Sequence, residues 1–172
     1  MTLQTSGAIS LNQIHVEAGG ASGTQASLND FDVRYLTNVG SESSSAFNSF
    51  YGRSRHRVTA GSGTAGSTQY TGYKTSSPTI GSVDDSDLTW TTASWTGLYF
   101  VLTGTDAYKI HLHLGGSGSG TNSGFTTMRI GGSTYARTSA SFNGSSGFFS
   151  LWKWSSGSNP LTNGSVRDTY YY

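Results

Sequence analysis

The spacing of polar and apolar positions changes near residue 55. Before it, apolar side chains recur at helical intervals in short stretches, each opened by a polar residue and most closed by glycine. Ser10 precedes a stretch over 11–18 that stops at Gly19-Gly20. A serine there accepts hydrogen bonds from the first free helix amides, and glycine supplies the left-handed residue at the end, so the pattern predicts a short helix. Ser27 repeats the arrangement before 28–36, and a third stretch over 47–51 ends at Gly52. Aligned on an apolar-Asn pair, Leu11-Asn12, Leu28-Asn29 and Phe47-Asn48 recur at spacings of 17 and 19 residues, and Ile14, Phe31 and Phe50 follow two residues after each Asn. The echo reads either as a threefold repeat or as three ordinary amphipathic turns. Helices this short bury too little apolar area to stand alone, so residues 1–54 must pack on the rest of the chain or on another protein and are expected to act as a docking segment. Its expected anchors are Leu11, Ile14, Leu28, Phe31, Phe47, Phe50 and Tyr51.

From residue 55 onward, short β-prone runs alternate with Gly/Ser/Asn clusters, the pattern of an antiparallel sandwich or barrel. Strands are expected over 56–58, 69–73, 88–92, 97–103, 108–114, 126–130, 133–137, 140–142, 148–154 and 165–171. In Lys109-Ile110-His111-Leu112-His113-Leu114 the apolar residues take alternate positions, which sends Ile110, Leu112 and Leu114 to the core and Lys109, His111 and His113 to the other face. In the 148–154 run Phe148, Trp152 and Trp154 share one parity and Phe149 and Leu151 the other, implying a strand apolar on both faces. Gly131-Gly132 fits a tight hairpin, where glycine reaches positive φ without steric cost. The expected architecture is mainly β: a jelly-roll-like antiparallel β-sandwich over 55–172, preceded by short helices over 1–54.

Composition sharpens this picture. Gly (24), Ser (30) and Thr (23) fill 77 of 172 positions, which alone would suggest a flexible low-complexity chain. The 13% of aromatic residues argues instead for a folded core, because disordered segments are poor in them. Ten Lys+Arg against nine Asp+Glu leave a formal charge of +1, which supplies no basic footprint for nucleic acid or an anionic membrane. Without cysteine there are no disulfides or thiolate zinc sites. The opening residues have neither the basic start nor the apolar run of a secretory signal, so action without Sec export is expected.

Candidate chemistry is sparse. His111 and His113, two imidazoles at i and i+2 on one strand face, are the sharpest constellation: they could approach one metal ion, with symmetry copies completing the shell, or form an ordinary polar strand face. Asp84-Asp85-Ser86-Asp87 gathers carboxylates in a turn without the spacing of a calcium-binding helix-loop-helix. Gly116-Ser117-Gly118-Ser119-Gly120 has the letters of a nucleophile elbow but lies in a Gly/Ser run with no apolar helix after it, and the preceding glycines lack the Lys of a phosphate-binding loop. Trp90, Trp95, Trp152, Trp154 and Tyr170-Tyr171-Tyr172 read either as core and subunit packing or as platforms for sugar rings. No cofactor and no enzymatic activity are expected.

Gln4-Thr5-Ser6-Gly7-Ala8-Ile9-Ser10-Leu11-Asn12-Gln13-Ile14-His15-Val16-Glu17, with Ala26-Ser27-Leu28-Asn29-Asp30, Val33-Arg34-Tyr35-Leu36 and Ser49-Phe50-Tyr51-Gly52-Arg53-Ser54, resembles the N-terminal segment of virion structural proteins of tailed bacteriophages, especially marine cyanophages. Ile130-Gly131-Gly132-Ser133-Thr134-Tyr135, Ser139-Ala140-Ser141-Phe142, Leu151-Trp152-Lys153-Trp154 and Ser158-Asn159-Pro160-Leu161 are more loosely similar to small β-rich modules of phage tail and fibre proteins. The resemblance implies a virion protein that docks through its N-terminal segment to capsid, neck or tail proteins and displays the β module. A homo-oligomer, such as a trimer, would match the particle's symmetry. No heptad run or shaft repeat is present, which points to a short tail or neck appendage or a capsid decoration. The alternative function is a glycan-binding module for attachment to a host surface.

Overall fold

The computed structural model describes residues 3–4, 6–39, 45–51, 53, 55–84, 94–116, 124–145 and 149–172, with the side chain of Ser145 excepted. The chain is mainly β, with two antiparallel sheets and two short α-helices, and it divides into two compact units. The first comprises Met1–Arg55 with Tyr170–Tyr172, and the second His56–Thr169.

In the first unit, α1 spans Leu11–Glu17. The Ser10 side chain accepts from the Gln13 amide and the Gln13 side chain accepts from the Ser10 amide, a reciprocal cap that satisfies two otherwise orphaned donors. α2 spans Phe31–Thr37, three residues later than the serine signal placed it. The reason lies in Ser27 and Asp30: the Ser27 amide donates to Asp30 Oδ2 at 2.8 Å and Ser27 Oγ accepts from Asn29 N, so 27–30 forms a turn of its own and Asp30 is the cap residue. The third stretch is a single 3₁₀ turn, Phe47–Phe50. The three apolar-Asn pairs therefore occupy a helix start, a pre-helical turn and a 3₁₀ turn, and the echo is not a structural repeat.

This unit has its own core. Leu3, Ile14, Ala18, Val33, Leu36, Phe50 and Tyr170 are buried together, with Ile9, Leu28, Tyr35 and Tyr172 packed at its margin. Tyr170 and Tyr172 contribute through ring contacts: Tyr170 stacks between Tyr35 (5.9 Å) and Tyr172 (6.4 Å), and the Tyr172 hydroxyl donates to the Tyr35 carbonyl. The Arg53 guanidinium lies 5.7 Å from the centre of the Tyr172 ring.

Eleven strands are described, the first beginning at Arg55 and the last running to Tyr171: β1 Arg55–Thr59, β2 Gly61–Ala65, β3 Thr68–Lys74, β4 Ser82–Val83, β5 Ser94–Val101, β6 Lys109–Gly115, β7 Thr127–Ile130, β8 Ser133–Ala136, β9 Ser141–Ser145, β10 Phe149–Ser155 and β11 Val166–Tyr171. One sheet has the order β4-β1-β11-β7-β8 and the other β2-β3-β5-β6-β10-β9. Their inner faces meet through aromatic rings: Trp95 packs on His56 at 5.3 Å, Phe125 on Trp152 at 5.3 Å, and the Trp154 indole N–H donates to the Ala136 carbonyl. Leu98, Ile110, Leu112, Leu114, Met128 and Ile130 fill the space between.

The alternation in β6 places Ile110, Leu112 and Leu114 in this core as the spacing predicts. The β7–β8 hairpin turns at Gly131, whose φ is 54°. β2 was not expected: its sequence, Gly-Ser-Gly-Thr-Ala, carries no large apolar side chain, and it is a strand because β3 pairs with it residue for residue. Its glycines permit close backbone approach, since a Cβ on Gly61 would stand 2.4 Å from the Gly81 amide nitrogen and one on Gly81 would stand 2.2 Å from the Gly72 carbonyl oxygen. The expected strand over 88–92, with Trp90, lies outside the described residues, as does Phe148.

Candidate functional site

The outer face of the six-stranded sheet carries the densest polar cluster among the described residues. Register fixes who meets whom: Tyr99 on β5 stands opposite His111 on β6, which stands opposite Lys153 on β10. One step along, Val101, Lys109 and Ser155 align in the same way. The connection between β5 and β6 adds a carboxylate from above. Its turn is closed by Ala107 N donating to Gly104 O and Tyr108 N donating to Val101 O at 2.8 Å, which brings Asp106 over the sheet.

Asp106 is held by two ammonium groups, Lys109 Nζ at 2.7 Å from Oδ1 and Lys153 Nζ at 2.7 Å from Oδ2. These hydrogen bonds, first that of Lys109 and then that of Lys153, lower its pKa to about 2. His111 Nε2 faces the same carboxylate at 3.7 Å, too far for a hydrogen bond, and Nδ1 lies 3.4 Å from the Tyr99 hydroxyl. Burial chiefly lowers the His111 pKa to about 4; Lys153, Lys109 and His113 act in the same direction, against Asp106. At neutral pH the contact with Asp106 is therefore that of a neutral imidazole with an anion and not a salt bridge. The Tyr99 phenol is pushed up to about 12, first by burial and then by Tyr70 and Asp106, so it stays protonated and can donate to Nδ1. With the phenol as donor, the imidazole proton sits on Nε2, the nitrogen turned toward Asp106.

At the other end of this face, Lys74 Nζ lies 5.6 Å from the centre of the Tyr70 ring and 6.0 Å from that of Tyr99, and it donates to Ser76 O, Ser76 Oγ and Ser77 O. Burial lowers its pKa. The cation is thus enclosed by rings and carbonyls, which pins the 74–77 segment.

The expected polar face of β6 is consequently only half open. His111 is 5% exposed, because Asp106, Tyr99 and Lys153 close over it, while His113 is half-buried. The two imidazoles are engaged separately: His113 Nδ1 lies 3.1 Å from Thr96 Oγ1 and its ring packs on Phe149. Burial, and after it Lys74, lowers the His113 pKa. Among the described residues no group of three or more His, Asp or Glu side chains assembles to hold a metal ion. The burial of His111 also keeps it from reaching a symmetry copy as a metal pair with His113 would require.

The other expected sites are placed as follows. Ile14 and Phe50 are fully buried in the first unit's own core, so they stabilise that unit and are not free as docking anchors. Leu11, Leu28 and Tyr51 are half-buried, the last donating its hydroxyl to the Gly7 carbonyl. Phe31 and Phe47 remain 65% and 42% exposed. Trp95, Trp152 and Trp154 are buried in the sandwich and offer no platform to a sugar ring, and Tyr170 and Tyr171 are buried as well. Asp84 Oδ1 accepts from the Arg57 amide at 2.6 Å, whereas 85–87 lie outside the described residues.

Asp106, Tyr99, Lys153 and Tyr108 were not singled out from the sequence. The Asp106-to-Lys109 spacing was the one local signal available, and the cross-strand neighbours become visible only with register. No helix of the described residues is long and apolar enough to cross a membrane. Comparison with known proteins finds no matching family model, no matching curated protein and no matching solved structure. The class is therefore defined by the fold alone: an antiparallel β protein with an N-terminal helical unit.

Proposed function

We infer that this chain is a non-enzymatic structural protein of a tailed-phage virion, joined to capsid, neck or tail proteins through its N-terminal unit and displaying its β-sandwich. The observation that carries this reading is the exposure of Phe31 and Phe47 on a unit whose core already encloses Ile14, Val33, Leu36 and Phe50. Burying a phenylalanine against a partner contributes about 1.5–3 kcal/mol, so two such groups are a substantial part of a docking interface. The sandwich fits a display role because Trp95, Trp152 and Trp154 serve packing. Assembly as a symmetric homo-oligomer on the particle accords with the same role.

The test is incorporation. Particles grown with the chain bearing Phe31→Ser and Phe47→Ser are expected to lack it by immunogold electron microscopy, while the soluble variant keeps its unfolding midpoint within a few degrees. Undiminished labelling of these particles, or no labelling of particles carrying the unaltered chain, overturns the assignment.

A further inference from the structure

We propose that the end of the six-stranded sheet carrying Tyr108, Lys109 and Lys153 binds an anionic sugar, a pyranose bearing a carboxylate or sulfate. The inference is independent of the docking role and concerns a different part of the chain.

Tyr108 is the first observation. It is 66% exposed, the highest value among the large apolar residues described, and its backbone is left-handed with φ 62°. A bulky aromatic residue rarely adopts that conformation, and such outliers persist only where the surroundings impose them. Here they do: Tyr108 N donates to Val101 O at 2.8 Å, and Tyr108 O accepts from Ser156 N at 2.9 Å. The frame thus holds the phenol outward with its main chain fixed on both sides, and the sandwich core makes no use of the ring. A flat, exposed aromatic face on a fixed stretch of main chain suits the C–H face of a pyranose.

Charge is the second observation. Lys109, the next residue, and Lys153 share one carboxylate, Asp106. Two ammoniums against one carboxylate leave a local surplus of one positive charge. Each ammonium has three N–H donors, and among the described residues its one side-chain acceptor is Asp106, so donors remain. The side chains of Lys109 and Lys153 are 33% and 23% exposed, which leaves those donors open to solvent or ligand. Since Asp106 holds both heads in place, an arriving anion meets an ordered pair and not two free lysines. An exposed ring on the residue preceding Lys109, together with the ordered cationic donors of Lys109 and Lys153, matches a sugar with a C–H face and one anionic substituent. A polyanion such as nucleic acid would require more cations than this rim offers.

The experiment is calorimetric titration of the full chain with three oligosaccharides of equal length: an oligogalacturonate, a sulfated oligosaccharide and a neutral one. A polyglutamate peptide serves as the non-sugar anion. The expected result is binding of at least one anionic oligosaccharide about tenfold or more tighter than the neutral one or the peptide, weakening with added salt. Tyr108→Gly is expected to weaken it about tenfold at an unchanged or higher unfolding midpoint, Lys153→Gln to weaken it about tenfold with a lower midpoint because the ion pair with Asp106 is lost, and Lys153→Arg to retain both binding and midpoint. Whether carboxylate or sulfate is preferred identifies the anion. Equal binding of the neutral sugar, equal binding of the peptide, binding retained in both loss variants, or no binding of any oligosaccharide overturns the proposal.

Discussion

Lowering the pH from 7 to 5 is expected to destabilise the β-sandwich, with His111 contributing a share that can be isolated from the rest. Its imidazole titrates near 6.5 in an unfolded chain and at about 4 in the fold, chiefly because burial disfavours the cation. Between these values the unfolded state binds more protons, so stability falls as pH falls, and below about 4 the loss is complete. Above 6.5 both states are neutral and the residue contributes no pH dependence. With about 1.4 kcal/mol for each tenfold difference in proton affinity, the loss is about 2 kcal/mol at pH 5 and approaches about 3 kcal/mol near pH 4. The assay is urea unfolding at pH 7, 6, 5 and 4 for the natural chain and His111→Gln, which cannot take up a proton. Every other acid-sensitive group is common to both, so the difference between the two curves isolates this side chain. The variant is expected to be less stable at pH 7, where it disturbs the contacts of Tyr99 and Lys153, but to lose about 2 kcal/mol less on going to pH 5. Parallel pH dependences would refute the reasoning, since they would mean that His111 protonates in the fold as readily as in the unfolded chain.

Four further outcomes test other links. Asp106→Asn removes the carboxylate that favours the His111 cation, so the His111 ring resonances in NMR are expected to titrate at lower pH than in the natural chain. Tyr108→Gly relieves a left-handed tyrosine and is expected to raise stability by about 1 kcal/mol, read as a higher urea midpoint. Tyr170→Ala takes a ring from the core of the first unit and is expected to cost about 3 kcal/mol, with faster amide exchange in α1 and α2 as the local readout. Ser10→Ala breaks the reciprocal cap of α1 and is expected to cost about 1 kcal/mol, seen as lost amide protection of Gln13.

The amino-acid sequence by itself determined the elements whose signal is local. The Ser10 cap and Gln13 three residues later define the start of α1 because both partners of the reciprocal bond lie within one turn. The alternation in β6 decided which side chains enter the core, since a strand turns successive residues to opposite faces and only one set there is apolar. The Gly131 hairpin was legible for the same local reason, a backbone angle that glycine adopts without strain.

Other features depended on residues far apart in the chain. β2 is a strand only because β3 offers it a ladder, and nothing in Gly-Ser-Gly-Thr-Ala requires one. The C-terminal tyrosines complete the core around Ile14 and Phe50, so two expected anchors became interior groups that no count of apolar residues in the first 54 could have assigned. The polar face of β6 was expected to be open. It is covered because register sets Tyr99 and Lys153 beside His111 and a closed turn brings Asp106 above them. Periodicity reports which face a side chain occupies, whereas its exposure and charge state follow from what the tertiary fold lays against that face.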